Sequence, residues 1–295
     1  MKKLLARSVF AFVILLVLNI GGIILFIFGK NSYAQTPIHK KPLVFQTSEM
    51  QNVKIATKEY KENLSLDLYY PPNFETTSQY PVIIFVLGYA DTTIENKSKA
   101  PKLKDWRAYV DWAKLVATEG MISINYETLS PEQDIIDLVD FINKSGKSLN
   151  IDNERIGIWS CSGNAAIALN VMRGPYRKYF DCAVFYYGLM ISQNKKYLQE
   201  IKKLSSSYGF QISKNDSIAS LDPEIPLFFV KSGLDQIPNS NTAMMEVVEE
   251  ANESNIPLTF INYSSGHHAF DVFDDNEESR RIIQKTLDFF KENLF

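Results

Sequence analysis

Continuous apolar runs that alternate with helix-like segments constrain this 295-residue chain more than any other feature. A run such as "YPVIIFVLGY" has no polar residue at every second position, so as a strand it must be covered on both faces. "MISINYE", "RIGIW", "DCAVFYYG", "PLFFVKSG" and "PLTFINYS" supply further strands of this set. Between them lie segments of helical spacing. "DWRAYVDWAKLVATEG" stops at Gly120, a suitable residue just past a helix end, and "SPEQDIIDLVDFINKSG" starts with Ser130 as cap and Pro131 in the first position. "ESRRIIQKTLDFFKENLF" reads as an amphipathic last helix. Strands alternating with helices predict a largely parallel sheet with helices on both faces, the α/β class. "VKIATKEY" and "LSLDLYYPP" alternate instead and read as a leading antiparallel pair. Residues 189–224 are the least regular part, helical at "KKYLQEIKKLSSSYG" and placed where a lid could sit.

Ahead of this domain, residues 8–28 carry no charge and follow Lys2, Lys3 and Arg7. A helix of about 20 residues spans roughly 30 Å, the thickness of a hydrocarbon core. The run exceeds the ordinary secretory signal core of about 7–15 residues, which favours an uncleaved anchor. Ser32, Tyr33 and Ala34 offer small residues for cleavage before Gln35, so a secreted product is the alternative. Both versions put the domain outside the cytoplasm. The expected layout is an anchor or signal over 1–34, a polar tether over 35–51 and a catalytic domain over 52–295. A formal net charge of −3 is too balanced for a polyphosphate-binding surface, so nucleic acid is not an expected partner. Cys161 and Cys182 cannot build a disulfide framework or a zinc cluster.

"GIWSCSGNAA" joins a strand-like run to a run of small residues and carries three candidate nucleophiles. A nucleophile on a sharp strand-to-helix turn is exposed at the sheet edge, and the tight backbone demands small residues two places before and after it. Ser160 would be flanked by Ile158, and Cys161 by Trp159; Ser162 is flanked by Ser160 and Asn164. Ser162 is therefore the candidate, with Asn164 larger than the position prefers. A serine hydroxyl needs a neutral imidazole to take its proton and a carboxylate to orient that imidazole. Of three histidines, His39 falls in the tether, leaving His267 and His268 in "SSGHHAFDVF" after the last strand. Asp235 in "FFVKSGLDQIPN" follows a buried strand, in the chain order serine, acid, histidine. A tetrahedral oxyanion needs preset donors. The Gly163 N–H, next after the serine, is one, and Tyr89 or Ala90 after Gly88 is placed to give the other.

On "PVIIFVLGYA", "WAKLVATEGMISINYE", "LNIDNERIGIWSCSGNAA", "SGLDQIPN" and "GHHAFDV", the chain from about residue 64 resembles the α/β-hydrolase superfamily, closest to its dienelactone hydrolase-like and acyl-esterase or peptidase branches. The resemblance implies a mostly parallel eight-stranded sheet and hydrolysis with no metal or organic cofactor. It also selects His268, because the family's histidine precedes a small residue and Phe, here Ala269 and Phe270. The chain departs from the family at Leu87-Gly88-Tyr89-Ala90, where many esterases have His-Gly, and at Ser160 and Asn164, where flanking glycines are usual.

The expected activity is cleavage of a carboxylic ester through an acyl-enzyme. The alternatives are a peptidase of the same fold, or a catalytically silent binding protein. Cys161 is expected to pack under the turn. "KSKAPKLKDWR" gathers five cations, which read as a solvated basic surface near anionic lipid or as a site for an acidic substrate.

Overall fold

The computed structural model describes residues 36–190, 195–212, 221 and 223–295. The strands are β1 (Lys54–Lys61), β2 (Leu64–Tyr70), β3 (Tyr80–Phe85), β4 (Ile122–Tyr126), β5 (Ile151–Cys161), β6 (Cys182–Tyr186), β7 (Leu227–Ser232) and β8 (Leu258–Tyr263). They form one sheet in the order β1-β2-β4-β3-β5-β6-β7-β8. β1 pairs antiparallel with β2, and β2 with β4; every later pairing is parallel. The runs without polar alternation, β3, β4, β5 and β6, occupy the centre and are buried on both faces over their apolar lengths.

The helices are α1 (Asp91–Ser98), α2 (Arg107–Thr118), α3 (Pro131–Ser145), α4 (Ala165–Arg173), α5 (Lys195–Tyr208), α6 (Ser240–Glu253) and α7 (Glu277–Leu294). Helix α2 buries Trp112 against Trp159 of β5 and Tyr186 of β6, with ring centroids 5.3 and 5.7 Å apart. Tyr186 stacks in turn on Phe270 at 5.1 Å, so one aromatic chain runs from α2 under the sheet edge that carries the candidate residues. Aromatic burial of this kind dominates core energetics. Gly120 ends α2 with φ of +88°, as its position predicts.

The expected cap of α3 works in reverse. Ser130 makes no side-chain cap bond; Asp134 Oδ2 accepts the N–H groups of Leu129 and Ser130 and the Thr128 hydroxyl, while Lys61 balances its charge at 2.6 Å. The charged carboxylate, a strong acceptor, thus gathers the donors that precede the helix rather than the N–H groups of its first turn.

Residues 36–51, the described part of the expected tether over 35–51, run on to residue 53 as a strap packed on the domain. Leu43 is buried, its N–H donating to Asp111 of α2, and the Val44 N–H donates to the Asp271 carbonyl beside the histidine loop. Leu43 and Met50 are buried, and Val44, Phe45 and Val53 pack against the same core, which fixes the segment on the domain. The expected membrane span, residues 8–28, lies outside the described residues. Among the described residues no helix is long and apolar enough to cross a membrane.

Four of the five cations after β3 are engaged within the fold and do not form a free basic patch. Lys102 pairs with Glu127, Lys104 is buried against Asp67, Arg107 pairs with Asp111, and Lys97 donates to two carbonyls of α5. Glu127 and Asp67 stand far off in the sequence and Asp111 a helical turn away, which is why the run reads as unpaired.

Candidate active site

Because β5, β7 and β8 run parallel, the residues after them gather on one edge of the sheet. β5 ends at Cys161, and the chain turns at once into a short 3₁₀ segment (Ser162–Asn164) and α4. Ser162 sits at the apex with φ of +51°, a left-handed backbone that a non-glycine residue adopts at a cost on the order of 1–3 kcal/mol. The turn is held by the Leu189 N–H, which donates to the Ser162 carbonyl at 2.9 Å.

The serine Oγ stands 2.8 Å from His268 Nε2, and His268 Nδ1 stands 2.8 Å from Asp235 Oδ2. An ionised carboxylate can only accept, so the proton belongs on Nδ1 and Nε2 faces the serine as acceptor. The Asp235 and His268 side chains are 2% and 10% exposed, which removes most of the competing water. Backbone bonds fix the two loops to one another: the Gly233 N–H donates to the Tyr263 carbonyl at 2.7 Å and the Leu234 N–H to the Gly266 carbonyl at 2.9 Å. His267 faces away. Its Nδ1 and N–H both meet Asp274, at 2.9 and 2.8 Å, which locks the loop and leaves His268 alone in reach of Ser162.

The turn after β3 lies against this serine turn. A Cβ on Gly88 would fall 2.8 Å from the Asn164 Cα and the Gly163 carbonyl, so no larger residue fits there. Asn164, the oversized flank, uses the room Gly88 leaves. Its Oδ1 accepts the Gly88 N–H at 2.6 Å and its Nδ2 donates to the Tyr109 hydroxyl at 2.7 Å. The Gly88 N–H is thereby occupied. The N–H groups of Gly163 and of Tyr89 or Ala90 remain the candidate oxyanion donors. Ala90 caps α1 through its carbonyl, which accepts from Thr93 and Ile94.

The Tyr89 side chain lies over Gly163, where a Cβ would come within 2.5 Å of the phenol oxygen and 2.9 Å of Phe210. Phe210 follows α5, and with Tyr197, Ile201 and Leu189 it forms a small apolar cluster separate from the main core. Part of the expected lid region thus covers the serine turn. Asn164→Ala strands the Gly88 N–H in a buried site and leaves the Tyr109 hydroxyl with only the Cys161 thiol, so it is expected to lower stability by about 1–3 kcal/mol, read as a drop in thermal midpoint.

Cys161 is buried beneath the turn, 3.5 Å from the Tyr109 hydroxyl. Burial, and then the nearby Asp271 charge, push its thiol up to about 12. A thiol in that state is not a nucleophile at neutral pH. Intact protein treated with iodoacetamide at neutral pH is therefore expected to show no modification of Cys161 by peptide mass mapping. Sequence reasoning missed Tyr109, Trp112, Tyr187 and Asp271, which support the site from below. Only Asp271 left a signal, as the polar residue inside the apolar "AFDVF". Among the described residues no group of three or more His, Cys, Asp or Glu side chains could hold a metal ion.

No family model and no curated protein matches the chain. Solved structures do. A bacterial heroin esterase superposes with a TM-score of 0.62 at 14% identity, over 83% of this chain and 86% of that one. Esterase 2 of Thermogutta terrifontis, phosphonylated by sarin, gives 0.58 at 13% identity, over 81% and 93%. MGS-M1, an α/β-hydrolase enzyme from a Medee basin deep-sea metagenome library, gives 0.56 at 15% identity, over 82% and 98%. Sheet order, strand directions and these likenesses agree: the chain has the α/β-hydrolase fold. At such identities the neighbours carry the fold and leave the dienelactone hydrolase-like branch unsupported.

Proposed function

We propose that the protein is a serine hydrolase that cleaves a carboxylic ester of a small molecule. Ser162 is the nucleophile, His268 the general base and then acid, and Asp235 the group that orients and balances His268. The observation that carries this reading is the unbroken chain Ser162 Oγ, His268 Nε2, His268 Nδ1, Asp235 Oδ2, with both steps at 2.8 Å. In the first half-reaction the Ser162 proton passes to His268 as Oγ bonds to the ester carbonyl carbon. The oxyanion is held by the Gly163 N–H and an N–H of Tyr89 or Ala90. His268 returns the proton to the leaving alcohol as the C–O bond breaks, and water repeats the sequence on the acyl-enzyme.

The complete hydrogen-bonded chain favours an enzyme over a silent binding protein, which has no need to keep a strained serine in register with an imidazole. The named esterase neighbours favour an ester over a peptide by analogy of fold. The branch nearest dienelactone hydrolases remains part of this proposal on the sequence phrases alone. A fluorophosphonate probe tests the reading: one adduct per chain at Ser162 is the expected result, and an adduct elsewhere, or none on folded protein, sinks it.

The location proposed with this activity is extracytoplasmic, with residues 8–28 as an uncleaved anchor. It rests on the length and apolar character of that run. Amino-terminal sequencing of the mature protein separates the anchor from a product beginning at Gln35.

A further inference from the structure

The two hydrogen bonds described above hold His268 at its nitrogens, and a second set of residues packs against its ring. Tyr187 follows β6 with φ of +38°, again a left-handed backbone at a non-glycine residue. Its N–H donates to the Val230 carbonyl at 2.8 Å, which pins it to β7. In this conformation its ring packs on the His268 imidazole with centroids 4.7 Å apart and meets Phe270 edge to face at 5.7 Å.

The Tyr187 hydroxyl donates to Asp271 Oδ1 at 2.6 Å, and the Trp112 indole N–H donates to Asp271 Oδ2 at 2.8 Å. Asp271 is 1% exposed, and among the described residues no Lys or Arg pairs with it. Burial pushes its carboxyl up, and the two donors together with the charge of His268 pull it back. A buried carboxylate without a cation is expensive, and an apolar side chain would serve the packing better. The group placed to gain from the charge is the imidazole beyond the Tyr187 ring.

Resting on the hydrolase reading, we propose that Asp271 and Tyr187 are a positioning pair for His268. Asp271 fixes the phenol against the tilted imidazole, so that the ring cannot turn away from Ser162. Its charge favours the imidazolium that forms when the serine proton arrives at Nε2. No proton passes to Asp271 itself. The groups facing His268 are Ser162 from the turn after β5, Asp235 from the loop after β7, Tyr187 from the end of β6 and Asp271 from the helical turn Phe270–Phe273. His267 and Asp274 pair with one another on the outward side, and the Cys161 thiol lies beneath.

The sequence carries only three histidines, so full-length protein labelled with ¹⁵N-histidine gives three imidazoles to follow, His267→Gln assigning one of them. Titrated in detergent, Asp271→Asn is expected to lower the His268 midpoint by roughly half a unit or more relative to wild type. Tyr187→Phe keeps the ring and the carboxylate but loses the bond between them. It is expected to lower kcat for p-nitrophenyl acetate by roughly 10- to 100-fold with KM changed less than about 2-fold, because misplacing a catalytic group acts on the transition state. An unmoved His268 midpoint in folded Asp271→Asn, or wild-type kcat in Tyr187→Phe, overturns the proposal. Should Asp271→Asn not fold, Tyr187→Phe decides alone. If wild-type protein neither hydrolyses esters nor takes the phosphonate, the hydrolase reading fails separately, and the imidazole titration still decides whether Asp271 acts on His268.

Discussion

Ser162→Ala is expected to lower kcat for short-chain aryl esters by on the order of 10⁴- to 10⁶-fold while leaving a folded protein. The loss is large because in the proposed reaction the hydroxyl oxygen is the atom that bonds to the acyl group, and no neighbour can replace it. Cys161 is buried, with its thiol held protonated. Ser160 is fully buried on the other side of the turn, and its Oγ has no partner among the described residues. Alanine at position 162 meets the same left-handed backbone as serine, so the change in stability should stay within about 1 kcal/mol. Ser160→Ala is the internal control: it removes a buried hydroxyl that gains nothing from its surroundings, and activity should persist. Stopped assays on both purified variants, with circular dichroism melts, separate the cases. Substantial turnover by Ser162→Ala would refute the assignment.

The sequence was most legible where burial leaves one solution. A run like that of β3, apolar at every position, is unstable in any setting but the middle of a covered sheet, so the central strands and the edge at which Ser162, Asp235 and His268 meet could be read from pattern and order. The choice between His267 and His268 needed more than spacing, because adjacent residues differ only in which way the loop turns them. Asp274, seven residues beyond His267, settles that turn by taking its Nδ1 and its N–H.

Features that depend on distant partners were opaque. Lys104 reads as one more cation in a basic run until Asp67 of β2 is placed beside it, and Leu43 reads as a stray apolar residue until α2 gives it a surface. Asn164 is the most instructive. By local steric rules it was a fault in the turn, yet with Gly88 opposite it supplies two hydrogen bonds that tie the serine turn to the turn after β3. A residue's size was visible, but the space reserved for it 76 positions away was not.

The strap over 36–53 and the brace behind His268 also belong together. The Val44 N–H and the Trp112 indole both end on Asp271, the first on its carbonyl and the second on its carboxylate. The segment that leads in from the amino terminus is thus part of the histidine loop's support.

Asp235→Asn is expected to lower kcat by on the order of 10⁴-fold at neutral pH with the fold intact. Asp235 Oδ2 faces His268 Nδ1 at 2.8 Å, and its Oδ1 accepts the Ile237 N–H at 2.9 Å, so both oxygens are committed. An asparagine that keeps its oxygen on Ile237 must present its NH₂ group to Nδ1. Two donors cannot face one another, so Nδ1 becomes the acceptor and the ring proton moves to Nε2. His268 then points an N–H at Ser162 and cannot take its proton. The negative charge that balanced the imidazolium is also gone, which removes the stabilisation of the state formed in the first chemical step. Rapid-mixing measurements with p-nitrophenyl acetate should show the loss in acylation as well as in steady state, since both need the same tautomer. His267→Ala in the same assay should stay within about 10-fold of wild type, its ring being bound to Asp274 and turned from the serine. A folded Asp235→Asn protein that acylates at near wild-type rate would show that His268 is oriented by something other than this carboxylate.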